Sequence, residues 1–192
     1  MQLLLTGYAL IEGFTAVHIA AIAATSWVLF MNGVTSLQLR PDGDANAMIF
    51  IGSTTLAIFI GTGYIALDTA FDWTGEFFTD KEDGYRNYAI YVLYQLFPLI
   101  CIVSFFLAEG FTCLVVLGEF RPFLFLIIGA VLFIVGQIFQ YVISKRICFS
   151  TNGKINGSIF ENFLTLLAFV CVWILWDDIT EDQFDVGRGT AP

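Results

Sequence analysis

Five apolar runs of about twenty residues, near 11–33, 47–67, 88–109, 122–144 and 158–176, constrain this chain more than any other feature. Each is long enough to cross the roughly 30 Å hydrocarbon core of a bilayer as an α-helix. In lipid the backbone polar groups of such a run must bond within the segment, which a helix allows. A chain of 192 residues that is 58% hydrophobic and only 13% charged is also too apolar for an ordinary soluble domain. The expected fold is therefore all-α, a polytopic transmembrane helical bundle of about five spans over residues 1–176. An acidic C-terminal tail, 177–192, follows it.

The connections are short. "LQLRPDGDANA", "DTAFDWTGEFFTDKEDGYRN", "GFTCLVVLGEFR" and "KRICFSTNGKING" leave no room for a soluble domain. Phe71, Trp73, Phe77 and Phe78 in the longest loop, 68–87, belong at headgroup level. In the third span, apolar character continues past Glu109 to Leu117, about 45 Å as one helix at 1.5 Å per residue, so it must tilt, bend near Pro98 or run into the interface. Pro122 suits the first helical position of the fourth span. Met1 and Gln2 lead straight into apolar sequence without a basic segment or cleavage site, which reads as a signal anchor.

Little in the sequence suggests catalysis. His18 is the lone histidine, and the four cysteines show no CxxC spacing, so neither a metal site nor a disulfide framework is expected; Cys148 is the one thiol expected to be exposed. No nucleotide or nucleophile motif occurs, and no cofactor is implied. The net charge of −9 excludes nucleic acid as a partner and excludes a basic patch for anionic lipid. The lipid bilayer is the one partner that composition requires.

Polar residues inside the spans are the best functional pointers, because an ionisable group in lipid costs about 2.5 kcal/mol or more unless it is paired or hydrated. They are Glu12, His18, Asp68, Glu109, Gln137, Gln140 and Glu161. The plainer reading places the acids at the wet ends of the spans and bonds the glutamines to neighbouring helices. The sharper one lines a polar path with Asp68, Glu109 and Glu161, as in a small transporter or channel. Gly13, Ala16, Ala20 and Ala24 form a small-residue stripe suited to close docking of another helix, one outside this chain included.

Several stretches carry a resemblance. "GYIALD" closing the second span, "GEFRP" before the fourth, "GQIFQYVISKRIC" ending it, "TNGKINGSIFE" opening the fifth and "ITED" after it resemble the fungal chitin synthase export chaperone family in order and spacing. The resemblance covers nearly the whole chain and is most specific from Gly136 to Asp182. It implies a non-enzymatic, multi-pass protein of the endoplasmic reticulum that assists folding, assembly and export of chitin synthase to the cell surface, hence cell-wall chitin synthesis. Chitin synthase is then the client, trafficking machinery a further partner, and the plasma membrane a destination shared with the client. Family members have an N-terminal lumenal segment and about seven spans, so this chain resembles the last five; a nonfunctional truncated relative is the other reading this leaves. Asn156 stands where the family often has aspartate, and Phe184 where a tryptophan often follows the acids.

Orientation is contested within the sequence. Arg40, Arg121 and Arg188 fall on the C-terminal side, against Lys81, Arg86, Lys145, Arg146 and Lys154 on the other, and this 3 against 5 weakly favours an outside C-terminus. The resemblance implies a cytosolic one, with the loops at 68–87 and 145–157 in the lumen, and is the stronger guide. The sequon Asn156-Gly157-Ser158 would then face the lumen, too close to the membrane for use. Asp177, Asp178, Glu181, Asp182 and Asp185 form a collar after the fifth span, where the negative end of a helix dipole disfavours acids by several tenths of a kcal/mol each. The expectation is a recognition surface for basic segments, with Phe184 as its apolar anchor.

Overall fold

A computed structural model describes the backbone of residues 2–37, 44–77, 88–151 and 155–188, and the side chains of all of these except 2–9 and 180–188. The described residues are predominantly helical, with irregular backbone at 72–77, 118–119 and 155–156, and among them are five helices long and apolar enough to span a membrane. Helix α1 covers Gln2–Ser36, α2 Ala45–Phe71, α3 Tyr88–Leu117, α4 Phe120–Ser150 and α5 Gly157–Arg188. The membrane-spanning portions are Leu10–Ser36, Ala45–Phe71, Tyr88–Leu117, Phe120–Ser150 and Gly157–Ile179. All five fall on the apolar runs, because in such runs the intrahelical ladder satisfies every backbone group.

The ends explain why the helices are longer than the runs. Asp44 caps α2, its carboxylate accepting from the Asn46 N–H at 3.2 Å, and Asp72 closes it in the left-handed region at φ 52°. Gly118, at φ 70°, ends α3 with its N–H on the Cys113 carbonyl, a geometry glycine adopts without the Cβ penalty. Only Gly118 and Glu119 then separate α3 from α4, which forces the chain to reverse. Helix α4 starts at Phe120, two residues before the expected Pro122, yet the proline remains in the first turn, where its missing N–H costs nothing. Helix α3 accommodates its length with π-helical turns at Val92–Leu96, just before Pro98, and at Thr112–Leu117.

Two compact units result, residues 1–108 and 109–192. In the first, α1 packs on α2 through Ala16, Ala20, Ala23 and Ala24, all buried; a Cβ placed on Gly63 of α2 would lie 3.5 Å from the Ala20 methyl. Trp27 ties the same pair with an indole N–H to Thr54 Oγ1 at 3.0 Å and stacks on Phe97 of α3 at 6.3 Å. Gly33 lets α1 approach α3: a Cβ placed on it would lie 3.2 Å from the Phe105 ring and 3.3 Å from the Ala108 methyl.

In the second unit α4 and α5 form a long hairpin. Gly129 of α4 faces the Ala168 carbonyl and Cys171, and Gly136 faces the Glu161 carbonyl and Leu164, each with room of 3.4 Å for a Cβ. The two glycines are seven residues apart, two helical turns, so they lie on one stripe and bring the backbones close over its length. Leu126 and Leu175 are buried in the same unit.

The fifth helix departs from the expected boundary. Rather than stopping near 176 and releasing a tail, it continues through the collar to Arg188. Asp177 and Asp178 are thus about three turns from its end, beyond the reach of the terminal dipole, and the penalty expected for them there does not arise.

Candidate functional site

The α4–α5 hairpin collects three of the seven intramembrane polar residues, Gln137, Gln140 and Glu161. At its connection end the Gly157 N–H donates to Ser144 Oγ at 3.0 Å, and Ser158 Oγ donates to Gln140 Oε1 at 2.8 Å. One turn further along, Glu161 Oε1 accepts from Thr165 Oγ1 at 3.2 Å and, over a long 3.5 Å, from Gln137 Nε2. The π-helical turn at Phe139–Ile143 coincides with this crossing, and Phe139 stacks on Phe160 at 5.3 Å. Gly157 fits there because it has no side chain: a Cβ would strike the Phe139 carbonyl oxygen and stand 2.7 Å from Ser144 Cβ.

Between this polar seam and the far end the interface is apolar and small. At the far end Arg121 Nε lies 3.6 Å from Asp178 Oδ2, with the Arg121 side chain 78% exposed and that of Asp178 19% exposed. A pair so open to its surroundings is worth little in stability. Its geometry still matters, since it brings a guanidinium to the collar.

The remaining polar residues go elsewhere. Asp68 is fully buried at the end of α2, where it organises the chain that follows: Oδ1 accepts the Thr74 N–H at 2.8 Å, Oδ2 accepts the Thr74 hydroxyl at 2.7 Å, and its backbone carbonyl accepts the Asp72 N–H at 2.8 Å. Phe71 and Trp73 stack at 5.7 Å over this turn. Glu109 is fully buried as well. Because α3 continues to Leu117, Glu109 sits eight residues inside the span rather than at its end, whereas Asp68 lies three residues from the end of its span as expected; both acids are 0% exposed.

Glu12 and His18 are exposed on α1, away from the face that meets α2. In the small-residue stripe, Ala16, Ala20 and Ala24 are buried, while Gly13 is half-buried with open space beside it. The helix that approaches Ala20 is α2 of the same chain. In the collar, Asp177 is exposed and Asp178 meets Arg121; the side chains of Glu181, Asp182, Phe184 and Asp185 lie outside the described residues.

Sequence reasoning did not single out Arg121, Ser144, Ser158, Thr165 or Thr74. A signal existed for Ser158. Ser158 and Glu161 are three residues apart on one helix, as are Gln137 and Gln140 on the other, so two antiparallel helices can match them pair for pair. Cys101 and Cys113 are buried, Cys171 half-buried and Cys148 exposed, all as free thiols. Among the described residues no three His, Cys, Asp or Glu side chains gather closely enough to hold a metal ion.

Fold and polar groups together define a multi-pass α-helical membrane protein whose intramembrane hydrogen bonds join helix to helix. The stretches that build the hairpin are the ones that carry the family resemblance: Arg121 in "GEFRP", Gly136, Gln137 and Gln140 in "GQIFQ", and Gly157, Ser158 and Glu161 in "NGSIFE". The chain belongs to the chitin synthase export chaperone family, whose model matches residues 2–190.

Individual relatives agree. A chitin synthase export chaperone of Yarrowia lipolytica is 29% identical over 175 residues, 90% of this chain and 51% of that protein. One from Phaeosphaeria nodorum is 28% identical over 179 residues, 92% of this chain and 51% of its own length. One from Coccidioides immitis is 26% identical over 183 residues, 95% and 54%. The chain spans about half the length of the curated relatives it matches. No solved structure matches it significantly.

Proposed function

We propose that this protein is an endoplasmic-reticulum membrane chaperone that assists a chitin synthase to fold, assemble and leave for the cell surface. The observation that carries this reading is the family match across residues 2–190. The chaperone acts by binding, without catalysis. A multi-pass client exposes polar and imperfectly packed helix faces until it is assembled, and a protein whose helices present small residues and hydrogen-bonding groups can cover them in the meantime. Its cytosolic end carries the collar, as a recognition surface for basic juxtamembrane segments of the client or of trafficking machinery. Support for that role comes from Arg121, whose guanidinium already approaches Asp178 at 3.6 Å with the chemistry an incoming basic segment would use. Continuation of α5 to Arg188 supports it too, since it presents the acids on an ordered helical backbone.

The test is complementation. In a fungal cell lacking its own export chaperone, expression of this chain should return chitin synthase to the cell surface, and the two should co-purify. Asp177, Asp178, Glu181, Asp182 and Asp185 changed together to Asn or Gln should lower both readouts at unchanged abundance. Synthase retained inside the cell despite well-inserted wild-type chain would overturn the chaperone reading. Wild-type export by the five-fold variant would reduce the collar to a solvated helix end.

A further inference from the structure

The polar seam between α4 and α5 is only partly satisfied among the described residues. Glu161 is half-buried, and both bonds it makes, from Thr165 and Gln137, end on Oε1; among the described residues Oε2 accepts none. Gln140 accepts from Ser158 through Oε1, and its amide donors have no partner among the described residues. Asn162, beside Glu161, is exposed, and its side chain makes no hydrogen bond among the described residues. Around these groups the helices offer lipid-like surface: Phe163 and Leu166 of α5 are 58% and 61% exposed, and Ile138 and Tyr141 of α4 43% and 54%.

Depth makes the unfilled groups consequential. Lys145 and Arg146, both exposed, mark where α4 reaches polar surroundings. Gln140 lies five residues before Lys145, about 7.5 Å of helix, and Glu161 four residues after Gly157, where the fifth span begins, about 6 Å. A polar group at that depth is costly to leave without a partner. Leucine at 162 would avoid the cost and would pack no worse against α4, because residue 162 does not face it.

We infer that Glu161, Asn162 and Gln140 form a docking seam for a transmembrane helix of the synthase client, one that carries a hydrogen-bond-donating side chain such as Ser, Thr, Asn, Gln, Tyr or Trp. This rests on the chaperone reading above and names the surface through which it works. Complementarity selects the occupant. The Glu161 carboxyl offers an acceptor at Oε2 and Asn162 offers an acceptor and two donors, so a helix with a donor and a nearby carbonyl or amide satisfies both. The strength is also suited to a chaperone. Interhelical hydrogen bonds in lipid are modest, strong enough to hold an unassembled helix and weak enough to yield it to its final neighbours.

Asn162→Leu is the informative variant, because Asn162 has no hydrogen bond among the described residues to lose and leucine is at home against lipid. In the complementation strain, wild-type chain first establishes that synthase reaches the surface; if it does not, the chaperone reading falls and the seam with it. Where it does, Asn162→Leu at wild-type abundance should recover about 3-fold to 10-fold less synthase, the range expected for losing one interhelical hydrogen bond. Glu161→Leu should do the same, and Glu161→Gln, which keeps an acceptor, should retain more. A photoreactive residue at 162 should give an adduct with the synthase. Wild-type recovery by Asn162→Leu, or an adduct at 162 with a second copy of this chain and none with the synthase, overturns the inference and leaves the chaperone reading standing.

Discussion

Replacing Gly157 with alanine should cost about 1–4 kcal/mol, because it is the described glycine whose added Cβ meets the tightest contacts. The new Cβ would collide with the Phe139 carbonyl oxygen, sit 2.7 Å from Ser144 Cβ and reach 3.0 Å from the Phe139 carbonyl carbon. Two of these three contacts are backbone, which cannot rotate away, so α5 must shift off α4 at the seam. Overpacking of this kind costs about 1–3 kcal/mol. The shift also breaks the 3.0 Å bond from Gly157 N–H to Ser144, worth about 0.5–1.5 kcal/mol. Against this stands at most about 1 kcal/mol from the better helix propensity of alanine, and less at the first helical residue. The net destabilisation is about 1–4 kcal/mol, which for a chain of this size lowers the melting temperature by roughly 2–15 °C. Thermal unfolding of the purified protein in detergent, followed by the loss of monodisperse material, measures it. Gly13→Ala and Gly61→Ala, at mid-helix positions with nothing within 4 Å, are the controls and should melt with the wild type or a few degrees above it. If Gly157→Ala melts with them, the close crossing at Phe139 is wrong.

Two further outcomes test the proposed orientation and the first unit. Cys148 is exposed at the end of α4 while Cys101 and Cys113 are buried, so with the 145–157 loop in the lumen a membrane-impermeant maleimide should label Cys148 only after microsomes are permeabilised; labelling of intact microsomes would reverse the topology. Ala20→Leu puts three carbons where Ala20 is 0% exposed and faces Gly63, and should destabilise by about 1–3 kcal/mol through overpacking, whereas Val17→Leu, on an exposed face, should not; equal melting of the two variants would show that α1 and α2 do not meet at Ala20.

The membrane-spanning architecture was legible in the chain because lipid removes most of the choices that make soluble folds hard to read. A continuous apolar run of about twenty residues has to satisfy its backbone internally, and so the positions of all five helices follow from composition alone. Family membership was legible for a different reason: "GQIFQ", "GSIFE" and "GEFRP" keep their order and spacing, and the hairpin they build needs those residues at those places. The helix ends were less legible, since Asp72 and Gly118 stop their helices by adopting positive φ and the apolar character of the sequence does not end where the hydrogen bonds do.

What the sequence determined by itself, then, is the medium, the number of spans and the family, because each depends on residue identity and local order. Which polar groups meet was decided only in three dimensions. Gln140 and Ser158 are eighteen residues apart and Gln137 and Glu161 twenty-four. Their pairing depends on how closely α4 and α5 approach, and that in turn on Gly129, Gly136 and Gly157 lying along one crossing. The collar shows the same dependence. Four acids within six residues read as the start of an acidic tail at the negative end of a span, but a helix that continues to Arg188 moves Asp178 away from the terminal dipole, and the fold of the hairpin brings Arg121 beside it. Helix packing is a relation between segments distant in the chain, and a hydrogen bond or ion pair made across it exists only once both backbones are in place.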